Sequence, residues 1–379
     1  MPSSAALRRS RLSTALAFQA RPSGDPLEIR DIRLYPLREP SSGRRYTLVR
    51  LETRSGLRGW GECPGVSQRD FTEARRILAG IPASAYEIAW RRMAEAPSIR
   101  PAIDMALLDL LGRHTKAPAY QVLGGPTRFK VRALASLAGE TPAELGSALD
   151  RALKSGYRAF SVPVAAPAWP NQGQSFVFQV RGRLEILRKA AGEAADFVLD
   201  GGARLSAGDA GALSSEFERY HLLWLDEPCG ASSLGAIRKL AAERVTPIGF
   251  GRGFDQPAAF QDLLREEAAD IVRPNLALHG VSQIRRIAAL AETYYVAVAP
   301  FHDGGPLATA AALHLAASLP NFFIQQAPLP VNEQDRQMRI AITGVNVEAP
   351  VNGFFGLPLG PGLGIEVAER ALDRYRERT

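Results

Sequence analysis

Between Phe197 and Gln326 the chain repeats one event: a short apolar run ends in a polar residue, and a helix-length segment follows. Phe197-Val198-Leu199 leads into Asp200, Leu222 to Leu225 into Asp226-Glu227, and Pro247 to Gly251 into Arg252. Ile271-Val272 leads into Arg273-Pro274-Asn275, Val296 to Pro300 into Phe301-His302-Asp303, and Phe322 to Ile324 into Gln325-Gln326. Ser232 to Glu243 and Ser282 to Thr293 are among the helix-length segments between them. Buried parallel strands alternating with helices close into a barrel, and residues at the carboxyl ends of its strands converge on one mouth. With Val131–Ser136 and Arg158–Val164 added, the runs make eight strands. The expected class is α/β, a TIM-type (β/α) barrel, and its chemistry belongs at that mouth.

At 379 residues the chain exceeds one small core. Residues 27–65 read as three antiparallel strands, Leu27–Pro36, Tyr46–Thr53 and Leu57–Glu62, with turns at Ser41-Ser42-Gly43 and Ser55-Gly56. From Phe71 to Leu123 the period becomes helical: Ile103, Ala106, Leu107 and Leu110 share a stripe, with Asp104 and Asp109 on other faces. The division expected is 1–26 a basic tail, 27–130 an α+β capping domain, 131–341 the barrel, and 342–379 a Gly/Pro-rich segment returning to the cap.

The net charge of +7 suggests an anionic partner until its distribution is considered. Arg8, Arg9, Arg11 and Arg21 lie in an N-terminal stretch without acids, and later basic residues scatter along helices. That favours a solvated surface over a nucleic-acid footprint. No apolar run approaches the ~20 residues needed to cross a bilayer. Arg8-Arg9-Ser10-Arg11-Leu12 followed by Thr14 to Phe18 resembles a degraded twin-arginine export signal. A cytoplasmic protein with a basic tail or misassigned start is the plainer reading. Cys63 and Cys229 are too few for a disulfide framework and lack metal-ligand spacing.

Pro101 to Gly112, followed by Pro118 to Gly125, resembles the capping-domain signature of the enolase superfamily, mandelate racemase-like branch. Gly59-Trp60-Gly61-Glu62, Trp224 to Pro228, Ala299-Pro300 through Gly305-Pro306, Ala310 to Leu315 and Pro320-Asn321-Phe322 fit the same family. The resemblance covers nearly everything from 28 to 370. It implies a capped, modified barrel performing Mg2+-assisted proton abstraction α to a carboxylate, in many relatives the dehydration of an acid sugar. It further implies three metal-binding carboxylates on barrel strands three to five, lysines on strand two, a His–Asp pair on strands seven and six, a last Glu, and a homo-oligomer.

Carried over by position, most of that machinery is missing. The lysine positions fall on Ser161 and Pro163, and no lysine occurs between Lys154 and Lys189. Asp200 and Asp226 fit two metal positions, but the third falls on Arg252, whose nearest carboxylates are Glu243 and Asp255. The His–Asp pair falls on Phe301 and Asn275, and the last Glu on Gln326. A guanidinium beside two acids neutralises them and repels a divalent cation. The reading favoured here is a barrel that has lost this chemistry and binds a small anionic or polyhydroxylated (sugar-acid) ligand through Ser161, Asp200, Asp226, Arg252, Arg273, Asn275, Phe301 and Gln326, without metal.

Two alternatives stand beside it. One is a lyase or isomerase with Mg2+ on Asp200, Asp226 and Glu227, and His302 or His279 as base. Adjacent strand residues face opposite ways, however, which sets Glu227 behind the site. The other is metal-free acid/base catalysis by His302 and Asp303, with Arg252 stabilising an oxyanion. His302 lies one residue from the expected histidine, on the opposite strand face unless the chain has already turned.

Overall fold

The computed structural model describes residues 24–165, 169–230, 234–242, 246–329 and 332–377. The export-signal question (residues 1–23) and Glu243 lie outside them.

The cap is a three-stranded antiparallel sheet, β1 (Ile29–Arg38), β2 (Arg45–Thr53) and β3 (Arg58–Cys63), paired in that order. A helix, α3 (Arg100–Thr115), lies on it; α1 (Gln68–Leu78) and α2 (Tyr86–Arg92) precede it. Glycine makes this packing possible. A Cβ on Gly61 would sit 1.9 Å from the Ala102 carbonyl oxygen, and one on Gly59 would sit 2.5 Å from the Ala106 carbonyl oxygen. Alternate glycines on one strand face thus let a helix approach at backbone contact.

The stripe read in α3 proves too narrow, because the helix is buried nearly all round. Its two acids are clamps between elements. Asp109 accepts from the backbone N–H of Trp60 at 2.9 Å and of Leu363 at 2.8 Å, and pairs with Arg113. Asp104 accepts from the backbone N–H and hydroxyl of Ser282, fastening the cap to a barrel helix. Burial raises its pKa to about 6.

Eight parallel strands follow: β4 (Lys130–Ser136), β5 (Ala159–Pro163), β6 (Asp196–Asp200), β7 (Trp224–Asp226), β8 (Ile248–Phe250), β9 (Ile271–Val272), β10 (Ala297–Val298) and β11 (Gln325–Gln326). They pair in chain order, and β11 returns to β4. Parallel bridges Val298–Phe322 and Phe301–Gln326 join the last two, so the barrel closes. The helical segment expected from Ser282 is longer, running Leu276–Glu292 with a break at Gly280, where φ is 61°. That expected over 232–243 is described for Leu234–Ala242. Among the described residues no helix is long and apolar enough to cross a membrane.

The C-terminal segment touches both units. β12 (Phe354–Gly356) pairs antiparallel with β4, and the last helix (Glu369–Tyr375) sets Glu369 2.9 Å from Arg50 and 2.8 Å from Arg58 of the cap.

Candidate functional site

The barrel lumen is filled by a discrete apolar plug: Leu134, Ala159, Val198, Trp224, Ile271, Ala299 and Ile324. Strand side chains alternate, so the residue two further along each strand faces the same way, one layer nearer the mouth. That layer is Ser136, Ser161, Asp200, Asp226, Arg273, Phe301 and Gln326. Ser136, at the exposed end of β4, was missed by the sequence reading, although the same parity would have found it.

Arg252 enters the layer by a local device. Gly249 already faces the lumen, since a Cβ there would meet Trp224 and sit 2.7 Å from Asp226 Oδ1. Simple alternation would then turn Arg252 away. Instead Gly251 adopts φ +114°, a conformation open to glycine, and the strand ends. Glu227, itself at φ 42°, accepts both the Gly251 and Arg252 backbone N–H groups on Oε1 at 2.7 Å. The carboxylate behind β7 thereby fixes the turn that swings the guanidinium over the mouth. Burial and the Asp226 charge push the Glu227 pKa upward.

The charged residues then lock together. Arg252 forks onto Asp200, with Nη1 2.8 Å from Oδ2 and Nη2 3.1 Å from Oδ1, and Nη1 lies 3.4 Å from Asp226 Oδ2. Arg273, wholly buried, sets Nε 3.1 Å from Asp226 Oδ1, donates from Nη1 to the Ala299 carbonyl at 2.8 Å, and donates from Nη2 to Gln326 Oε1. Trp224 Nε1 donates to Asp226 Oδ1 at 2.8 Å, and Gly202 N–H to Asp200 Oδ1 at 2.8 Å. Two carboxylates and two guanidinium groups cancel. Burial still raises the Asp226 pKa, opposed by Arg273 and Arg252. Phe301 caps the group, its ring centroid 5.7 Å from the Arg273 guanidinium and 5.9 Å from that of Arg252.

This donor set does not suit Mg2+, which needs near-octahedral oxygen ligands at ~2.0–2.1 Å. The carboxylate oxygens of Asp200 and Asp226 face guanidinium, indole or backbone donors, and Glu227 spends an oxygen on two amides. Among the described residues no cluster of three His, Cys, Asp or Glu side chains is arranged to hold a metal ion.

Several expected site residues lie elsewhere or play other parts. His302 is not at the mouth: it is 1% exposed, with Nδ1 accepting from Gly304 N–H at 3.3 Å and Nε2 3.4 Å from the Thr309 hydroxyl. Burial, with Arg339 and Arg44 nearby, depresses its pKa to about 3, so it is neutral. Strand parity, continuing past β10, keeps it outside the lumen. Asp303 is exposed at the rim and is not a partner of His302. His279 is 2% exposed within the Leu276–Glu292 helix, bonded through Nε2 to the Phe254 carbonyl at 2.9 Å.

Asn275 caps the Leu276–Glu292 helix, its Oδ1 accepting from Ala277 N–H at 2.9 Å. Arg273, expected to join an anion site, is consumed by Asp226. Ser161 does line the lumen, with its Oγ buried and unpartnered. Cys63 and Cys229 are both buried, and burial raises their thiol pKa values.

Two family models match the chain. Residues 144–371 match the enolase C-terminal domain-like model, and residues 38–124 match the N-terminal domain of mandelate racemase / muconate lactonizing enzyme. Among solved structures, a mandelate racemase/muconate lactonizing enzyme-like protein from Roseovarius sp. TM1035 is 25% identical, covering 93% of this chain and 96% of its own, with a TM-score of 0.80. A protein from Mesorhizobium loti provisionally assigned as a dehydratase is 26% identical over 93% of this chain and 99% of its own, TM-score 0.76. A similar protein from Rubrobacter xylanophilus DSM 9941, at 23% identity, covers 93% and 98% with a TM-score of 0.81, a likeness of fold.

Proposed function

The chain belongs to the enolase superfamily, in its mandelate racemase/muconate lactonizing enzyme branch, and from that premise we propose that it is a repurposed, non-catalytic barrel that binds a small anionic or polyhydroxylated ligand without Mg2+. The observation supporting this reading is the forked contact of Arg252 on Asp200, with Asp226 held between Arg252 and Arg273. A permanently charged guanidinium sits where a third metal carboxylate would be, and its planar fork satisfies both oxygens of one acid.

The positions that carry proton abstraction in the family hold no base in this chain. Ser161 and Pro163 hold the lysine positions, Phe301 the histidine position, and neither serine nor phenylalanine is a base at neutral pH. His302 is neutral, buried and turned from the mouth. The amides at Asn275 and Gln326 preserve the hydrogen-bonding shape of the acids they replace while removing their charge.

A second reading, a lyase acting on an acid sugar, is favoured by the provisional dehydratase assignment of the Mesorhizobium loti protein. It requires Arg252 to leave Asp200 and Asp226 so that a metal can enter. The two readings separate on metal analysis of the purified protein combined with thermal unfolding in Mg2+ and Mn2+. The metal-free reading expects no bound metal and no saturable shift up to millimolar concentrations. Stoichiometric metal, or a shift abolished by Asp200→Ala, would reject it. Arg252→Glu removes the competing cation and adds a third carboxylate, so this variant is expected to acquire saturable divalent-ion stabilisation that the parent lacks.

A further inference from the structure

At the barrel axis the two cations among the described residues, Arg252 and Arg273, are spent on Asp200 and Asp226. Free cations stand instead at the rim. A cavity of about 200 Å³ opens between the cap and the ends of β4 and β11, lined in part by Arg44, Ser136, Arg151, Asp303 and Gln326. Arg44 comes from the loop joining β1 to β2, and Arg151 from the last turn of the helix Pro142–Lys154. Neither makes an ion pair among the described residues, and Arg44 Nη1 is buried with no acceptor. Two guanidinium groups without an ion-pair partner at one small cavity form a charge that an incoming anion would neutralise.

Other walls add complementary groups. Gln326 gives its carbonyl to Arg273, so its amide nitrogen is left as a donor. Ser136 offers a hydroxyl, and Asp303 an unpaired carboxylate that can accept from a ligand hydroxyl. The cap loop carrying Arg44 is anchored in advance. Asp335 accepts from the backbone N–H groups of Ser41 at 2.9 Å and Ser42 at 3.0 Å, and Arg339 binds Glu39 at 2.6 Å. A site whose charged group needs no ordering on binding loses less affinity to entropy. The volume lies below the roughly 300–1,000 Å³ of drug-sized ligand sites, which limits the occupant to a small molecule.

We propose that this rim cavity is an oxyanion-binding site, in which Arg44 and Arg151 receive the carboxylate or phosphate of a small hydroxylated ligand, Gln326 donates to it, and Asp303 accepts from a hydroxyl. The proposal rests on the ligand-binding reading given above and moves its anion contact from the barrel axis to the rim. Gln326 touches both places and links an occupant through Arg273 to Asp226.

The test titrates gluconate, tartrate, inorganic phosphate and neutral sorbitol into wild type, Arg44→Gln and Arg151→Gln, by calorimetry and thermal unfolding. The anions are expected to bind saturably where sorbitol does not, and each substitution to weaken that binding about tenfold, as for loss of one charge-assisted contact. The ligand-free unfolding midpoints should stay unchanged, showing that the variants fold. Preference for gluconate or tartrate marks a sugar acid, and preference for phosphate a phosphorylated ligand. Absence of saturable anion binding, or binding intact in both variants, overturns the rim site. If binding survives in both but disappears in Arg252→Gln, the ligand sits on the axis and only this proposal falls. Stoichiometric Mg2+ in wild type would instead remove the metal-free reading, whatever the anions do.

Discussion

Replacing Arg273 with methionine removes the cation at the centre of the lumen and leaves its partners in place. The residue is 0% exposed, so its side chain cannot be replaced by water from bulk. Asp226, also 0% exposed, would keep Arg252 at 3.4 Å and Trp224 Nε1 at 2.8 Å but lose the closer guanidinium at 3.1 Å. The Ala299 carbonyl and the Gln326 side-chain carbonyl would lose their donor as well. Breaking a buried ion pair by removing one member costs about 3–5 kcal/mol, most of it the uncompensated charge left behind. The loss is expected at neutral pH in urea unfolding followed by tryptophan fluorescence.

It should shrink in acid, because burial already raises the Asp226 pKa and the variant can shed its charge by taking a proton. The double variant Arg273→Met/Asp226→Leu removes both charges, so it should recover much of the loss. A single-variant loss under about 1 kcal/mol, or strict additivity of the two substitutions, would refute the view that Asp226 depends on Arg273.

His302 yields a pH prediction. Its folded pKa lies near 3 against an ordinary 6.5, so the unfolded chain takes a proton first as pH falls. Stability is therefore whole above pH 6.5 and declines toward pH 3, by at most about 4–5 kcal/mol from this residue. Glu62, raised to about 7 by burial, acts in the opposite sense. The readout is thus the difference between wild type and His302→Gln across pH 4 to 8, and parallel curves would contradict the assignment. Gly61→Ala is expected to cost about 3 kcal/mol or more, since its methyl would collide with the Ala102 carbonyl, and calorimetry of the variant measures it. Arg339→Met, which strips the buried guanidinium from Glu39 and Glu348, should cost a similar amount and speed amide exchange in the 39–46 loop.

The sequence alone was enough for the eight-strand count and for the polar residues Asp200, Asp226, Arg252, Arg273 and Gln326 at or just past five strand ends, because an apolar run closed by a polar residue is a local pattern that a buried strand imposes. Period-two alternation set Glu227 behind the site but left His302 open, because a chain that turns at the strand end no longer obeys it, and only the buried position of His302 in the structure takes it from the mouth. What tertiary structure decided is where partners come from. Arg273 reads alike on paper whether it meets a ligand or an acid; the barrel's closure brings Asp226 to 3.1 Å and removes it from any ligand. Arg252 reaches the mouth because Gly251 turns left-handed and Glu227 grips its backbone, a bend that parity could not foresee. Arg44 and Arg151, more than 100 positions apart, meet at one cavity only when the cap is seated. Local patterns follow from the alternation of neighbouring residues, whereas charge pairing depends on distances that exist only after the chain has closed on itself.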